Sequence, residues 1–219
     1  MNTHPILFST PMVEAILSGR KKQTRRVLKP QPQPSKLYKN AWNIEYKNHA
    51  AFNVSIEDLN TEFLGVLNHC PFGKIGDILW VRESFYIPIF EGLNGKYYYK
   101  ADLERQGWSF KWKPSIHMPK VACRIFLEIT AIRVERLNSI SENDAIAEGI
   151  ASDTCQDHLY NKTLTLYKDY LSNNMKLLPA SVSFKTLWQS INGMNSWASN
   201  PWVWVIEFKR IEKPENFLS

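Results

Sequence analysis

Residues 121–137 read VACRIFLEITAIRVERL. β-Branched and aromatic residues alternate there with Arg124, Glu128, Arg133 and Glu135 over parts of the stretch, and this predicts one long bent strand or two shorter ones. Immediately downstream, Ser141-Glu142-Asn143-Asp144 has the form of a helix start, with Ser141 as N-cap, Asp144 in the capping-box position and Gly149 closing the helix. Glu148 then falls at the helix end, where a carboxylate opposes the dipole and requires solvent or a cation.

Working outward toward the C-terminus, residues 151–180 lose the pattern and read as an insertion, with Tyr160, Tyr167 and Tyr170 on a short helix. Ser183 is the expected cap of a helix over FKTLWQSING, and residues 202–208, WVWVIEF, form a closing strand of strong β-propensity. Trp202 and Trp204, two apart on that strand, share a face and are expected in the core. Toward the N-terminus, the Gly76-Asp77 turn launches a strand over residues 78–82, and residues 97–100 form another, paired through a turn at residues 92–95. Residues 31–69 are polar, rich in Asn and Lys, and read as a second insertion or a long loop. Thr10, Pro11 and Gly19 bracket an amphipathic helix as N-cap, first-turn proline and C-terminal glycine. The element order, with strands that look antiparallel, predicts an α+β fold over a single domain, residues 1–219: a small β-barrel or curled sheet with peripheral helices rather than a βαβ array.

The charge is unevenly distributed. The formal net charge is +6, and residues 1–30 hold Arg20, Lys21, Lys22, Arg25, Arg26 and Lys29 against the single acidic residue Glu14. Such a cluster reads as a phosphate-facing patch, or as a solvated turn whose cations favour a helix C-terminus. No run approaches the roughly 20 apolar residues of a membrane span, and the N-terminus lacks a signal-peptide layout, so a cytoplasmic protein is expected. Cys70, Cys123 and Cys155 match neither a disulfide framework nor a zinc ribbon. His69, Cys70, His117 and Cys123 lack the spacing that puts two metal ligands on one face, so neither metal nor cofactor is expected.

Five blocks carry a resemblance: PILFSTPMVEAILSGRKKQTRRVLKPQP, CPFGKIGDILWVRESF, YKAD with the later KPSIHMP, ITAIRVERLNSISENDAIAEGI, and NPWVWVIEFKRI. In this order they are similar to the ASCH domain family, a branch of the PUA-like β-barrels, and most closely to its phage- and prophage-encoded members labelled morphogenetic proteins. The resemblance implies a PUA-like barrel carrying the two insertions, and a nucleoside, RNA or modified DNA as ligand in a bacterial host cell. Small bacterial members are N4-acetylcytidine amidohydrolases that use a lysine and a threonine from a G-R-K-x-x-T segment and a glutamate from the helix after the long strand. Lys21, Thr24 and Glu148 match those positions.

The chemistry is coherent on its own terms. Amide hydrolysis needs a nucleophile, a base to deprotonate it and an acid for the departing amine. Thr24 supplies a hydroxyl, Lys21 an amine usable as base if burial and neighbouring cations lower its pKa, and Glu148 a carboxyl to protonate N4 or orient the base. Arg20, Lys22, Arg25 and Arg26 are the expected source of that repulsion and of ligand binding, with Arg82 at a strand end and Trp108 and Trp112 as base-stacking residues. The competing structural assignment has Thr24 bonding a turn, Lys21 capping helix carbonyls and Glu148 in a surface ion pair. Among functions, the alternatives are a noncatalytic RNA- or modified-DNA-binding module using the same cleft, and a ribonuclease.

Overall fold

The computed structural model describes residues 1–37, 41–46, 49–54, 70–88, 96–103 and 110–218. The chain is α+β. Its main sheet is mixed and five-stranded, in the order β1 (Thr3–Leu7), β6 (Ile78–Arg82), β9 (Phe126–Arg136), β13 (Trp202–Ile211), β2 (Gln23–Val27), and it is accompanied by two three-stranded sheets and one two-stranded ribbon. Among the described residues this sheet is open rather than closed into a barrel. The chain divides into two compact units, one of residues 1–19, 71–130 and 208–219, the other of residues 20–70 and 131–207.

The first unit contains β1 (Thr3–Leu7), α1 (Thr10–Leu17), β6 (Ile78–Arg82), β7 (Phe85–Tyr86), β8 (Tyr98–Tyr99) and α2 (Lys100–Leu103). β1, which the pattern did not single out, runs parallel to β6 in the register Thr3↔Ile78 to Leu7↔Arg82. β6 is antiparallel to the start of β9, with Ile78 opposite Glu128. The expected strand at 97–100 is shorter: Tyr98 and Tyr99 pair with Tyr86 and Phe85, and Lys100 already begins α2. The turn expected at 92–95 lies outside the described residues. Phe126 and Phe217 meet edge to face at 4.6 Å in a core that also holds Ile78, Phe85 and Met118. Asp77, at the turn before β6, accepts hydrogen bonds from the amides of Asn2 (2.8 Å) and Lys74 (3.1 Å).

The second unit contains β2 (Gln23–Val27), β3 (Gln33–Pro34), β4 (Trp42–Tyr46), β5 (His49–Val54), α3 (Glu142–Ala147), β10 (Ser152–Asp157), β11 (Lys162–Asp169), β12 (Asn174–Lys176) and α4 (Ala180–Asn192). β9 (Phe126–Arg136) and β13 (Trp202–Ile211) contribute residues to both units. The alternating stretch is therefore one strand of 11 residues, with residues 120–122 forming a 3-10 turn ahead of it.

Three expectations are corrected here. Thr10 is the first residue of α1, whose N-cap is Ser9. Residues 151–180 carry no helix at the tyrosines but a three-stranded antiparallel sheet, β10-β11-β12. The Thr-Leu-Thr-Leu alternation of residues 163–166 sets its central strand, half-burying Leu164 and Leu166 against exposed Thr163 and Thr165. Likewise Ser183 does not cap α4, whose N-cap is Pro179. It lies fully buried one turn inside and donates to the Lys168 carbonyl at 2.6 Å. Part of the 31–69 stretch is also built, as the sheet β3-β4-β5, while residues 55–69 lie outside the described residues. Trp202 and Trp204 are both 1 % exposed, in the core as their shared face requires.

Candidate functional site

The site is assembled on a helix of six residues, α3, too short to persist without anchors at both ends. At its N-terminus Ser141 Oγ accepts from the Asp144 amide at 3.1 Å, the cap read from the sequence. Glu142 then reaches across to the start of α4, where its carboxylate accepts from the amides of Ala180 (2.7 Å) and Ser181 (3.2 Å). One helix thus supplies the acceptor that α4, headed by a proline, has no cap of its own to provide. These bonds, above all the one from the Ser181 hydroxyl, hold the Glu142 carboxyl below its ordinary range.

The C-terminal end of α3 meets the residues that lead into β2. The Lys22 amide donates to Ala147 O at 2.8 Å, and Lys21 and Glu148 form an antiparallel bridge. Lys21 Nζ donates to the backbone oxygen of Glu148 at 2.9 Å and to its Oε2 at 2.8 Å. Both side chains are buried, at 1 % and 4 % exposure. Glu148 is therefore no surface ion pair, and the cation its position at the helix end demands is Lys21. Gly149, at φ 84°, turns the chain away in the left-handed region, and Arg20 donates to Gly149 O at 3.0 Å and Ile150 O at 3.3 Å.

Alternation along β2 sorts the remaining residues. Gln23 and Arg25 point toward α3, where Gln23 Nε2 donates to Asp144 O at 2.9 Å. Arg25, with no exposed side-chain surface, holds Glu135 at 2.5 Å, Glu148 Oε1 at 3.1 Å and Asp144 at 3.4 Å. Arg133 extends the network to Asp144 (2.9 Å), Glu135 (3.3 Å) and Glu207. Thr24 and Arg26 occupy the opposite face of the strand, with Thr24 opposite Ile206 of β13. Thr24 is buried, and its hydroxyl has no hydrogen-bond partner among the described residues.

The electrostatics follow from this burial. Desolvation pushes the Lys21 amine below its ordinary pKa; Glu148 opposes the shift, and the charges of Arg26 and Arg25 reinforce it. Burial likewise lowers Arg26, with Glu148 opposing. For Asp144, burial is outweighed by the Ser141 hydroxyl and the guanidinium groups of Arg133 and Arg25, so its carboxyl lies below the usual range.

The structure thus brings Lys21, Glu148, Arg25 and Arg26 together, with Thr24 on the same short strand as the two arginines. It does not leave the cationic run free to face a ligand. Arg25 is enclosed by three carboxylates and Arg20 is bonded to backbone oxygens, which leaves Lys22 as the exposed cation of residues 21–26. Arg82 donates from Nε to Met118 O at 3.1 Å and from Nη2 to Ile116 O, and it lies over the Trp80 ring at 5.6 Å. Trp112 is half-buried against Phe110, while Trp108 lies outside the described residues. Sequence reasoning missed Gln23, Glu135, Asp144, Arg133 and Glu207 as members of the network. The i, i+2 spacing of Arg133 and Glu135 on one strand face was the available signal.

No protein-family model, curated protein or solved structure matches the chain. No group of three or more potential metal ligands occurs among the described residues, and no described helix is long and apolar enough to cross a membrane.

Proposed function

We propose that the chain is an ASCH-type, PUA-like protein that hydrolyses the N4-acyl amide of an acylated cytidine, with Thr24 as nucleophile and the buried Lys21–Glu148 pair as its proton-handling partner. The observation that carries this reading is a desolvated lysine amine 2.8 Å from a buried glutamate, three residues from a buried threonine. Burial lowers the Lys21 pKa and so favours the neutral amine that a general base requires, and the Thr24 hydroxyl, with no hydrogen-bond partner among the described residues, is available for deprotonation.

In the proposed cycle, the neutral Lys21 amine takes the Thr24 hydroxyl proton as Oγ1 attacks the acyl carbon. The tetrahedral adduct collapses with cleavage of the C–N bond, and the Lys21 ammonium returns the proton to N4, releasing cytidine. Water, deprotonated by the same amine, then attacks the threonyl ester; its oxygen leaves in the carboxylate product and its proton returns to Thr24. Glu148, whose two oxygens already accept from Lys21 and Arg25, serves as the counter-ion that orients the amine. Lys21 Nζ is held by Glu148 and makes no hydrogen bond to Thr24, so in the proposed cycle the amine must turn toward the hydroxyl. Such tightening on binding is common in catalytic pairs.

The test is mass-spectrometric detection of cytidine released from N4-acetylcytidine in water enriched in oxygen-18. Release with the label in acetate, lost in Thr24→Ala and Lys21→Met and retained in part by Thr24→Ser, supports the assignment. No release by the folded wild-type protein overturns it. The enclosure of Arg25 by carboxylates and the backbone oxygens that engage Arg20 weigh against the alternative in which residues 20–26 bind a polynucleotide without catalysis.

A further inference from the structure

The first unit holds a surface with a different chemical character. β7 lies between β8 and residue 113: Phe85 is paired with Tyr99 on one side and exchanges hydrogen bonds with Lys113 on the other, at 3.2 and 2.8 Å. Phe85 is buried in the core and the Tyr99 hydroxyl bonds Ala122 O at 2.7 Å, so this pair marks the inner face of the ply. By alternation the next pair, Tyr86 and Tyr98, lies on the outer face, as does Trp112 beside Lys113.

Phe110 completes the row. Its ring stacks on Tyr86 at 4.9 Å with an interplanar angle of 24° and meets Trp112 at 5.4 Å and 77°. Lys96 Nζ lies 5.3 Å from the Tyr98 ring centroid, and Lys96 and Lys111 are exposed. The four aromatic residues are all half-buried, so each keeps part of its surface in solvent. The described segments that form this face, residues 85–88, 96–100 and 110–114, contain lysines at 96, 100, 111 and 113 and neither aspartate nor glutamate.

We infer that the Tyr98-Tyr86-Phe110-Trp112 face of the first unit binds single-stranded nucleic acid, bases stacking on the exposed ring surfaces while Lys96 and Lys111 pair with backbone phosphates. Aromatic residues interleaved with lysines and free of acidic groups match this polymer, whose bases present π-faces and whose linkages each carry a negative charge. An apolar protein partner would not require the lysines, and a duplex hides its base faces. The inference is independent of the hydrolase reading, because it invokes neither Lys21 nor Thr24 and its ligand need contain no cytosine.

The test is fluorescence anisotropy with the full chain and labelled oligouridylate about 12 nucleotides long, within the ~4–16-nucleotide footprints of single-strand binders. Trp112→Ala and Tyr86→Ala are each expected to weaken binding roughly fivefold or more, the loss of one stacked base. Lys111→Gln is expected to reduce the slope of log affinity against log salt by about 0.7, one phosphate contact on a single strand. Because Lys111 is exposed, this variant keeps the test decisive if an aromatic variant misfolds. The inference is overturned if wild-type protein binds neither oligouridylate nor oligothymidylate, if a duplex of equal length binds as tightly, or if folded Trp112→Ala and Lys111→Gln proteins bind like wild type.

Discussion

Replacing Arg25 with methionine tests whether the buried network is an energetic unit. The side chain has no exposed surface and contacts three carboxylates, but their dependence on it differs. Glu135 and Asp144 are about one-fifth exposed and keep Arg133 as a partner. Glu148, at 4 % side-chain exposure, keeps its bond from Lys21 among the described residues. Removing one member of a buried pair costs about 3–5 kcal/mol. Against this, methionine relieves the desolvation of a guanidinium whose Nε has no partner, worth about 1–3 kcal/mol. The net is a loss of about 2 kcal/mol, and for a chain of this size that lowers Tm by ~4–8 °C. Calorimetry is the appropriate assay, because it reads the Tm directly and shows whether the transition stays two-state. A Tm unchanged within about 1 °C, or raised, would refute the reasoning, since Arg25 would then be a filler that apolar volume replaces without loss.

Three further outcomes are expected. Hydrolysis of N4-acetylcytidine should rise with pH through the Lys21 pKa, below its ordinary 10.5 because burial disfavours the ammonium; Arg26→Gln removes a reinforcing charge and should move that limb to higher pH, read from the kcat/KM profile. Burial raises the pKa of Asp77, but the Asn2 and Lys74 amides and His4 outweigh it, so the folded value lies below the ordinary 3.8. The stability this contributes is present above the unfolded value and lost as pH falls through the folded one, so Asp77→Asn should be less stable than wild type near neutrality and converge with it in acid, as urea titrations at several pH values would show. Ser141→Ala removes the cap of α3 and should cost about 1 kcal/mol in urea unfolding, with a larger loss of hydrolysis than of stability if the helix end positions Glu148.

Where local pattern carried the information, the sequence was readable. Ser141 capped its helix because side chain and amide are three residues apart, and β9 formed because its alternation persists over 11 residues. β1 escaped notice because THPIL is short, interrupted by a proline and a polar residue, and acquires its partner only from β6, 75 residues away in register. β10-β11-β12 was hidden by its polarity, a consequence of one face being solvated. Lys21 and Glu148 were named as partners in chemistry, but their contact spans 127 residues, and spacing within the G-R-K-x-x-T segment says nothing about it. The partners of Arg25 within the cationic run were hidden for a related reason. Six positive residues invite a ligand, whereas the carboxylates that enclose Arg25 come from β9 and α3, over 100 residues downstream.

The hairpin formed by β10 and β11 has a practical consequence for handling the protein. Its base is fastened to α4, through Ser183 to Lys168 O and Thr186 to the Tyr170 amide, while its tip carries exposed Leu159 and Tyr160 and a left-handed Asn161 at φ 49°. A tip that projects from so firm a foot makes an insertion point: a fluorophore or epitope placed between Leu159 and Tyr160 would leave every anchoring bond at the foot intact and provide a permanent handle on the unit that houses the buried lysine.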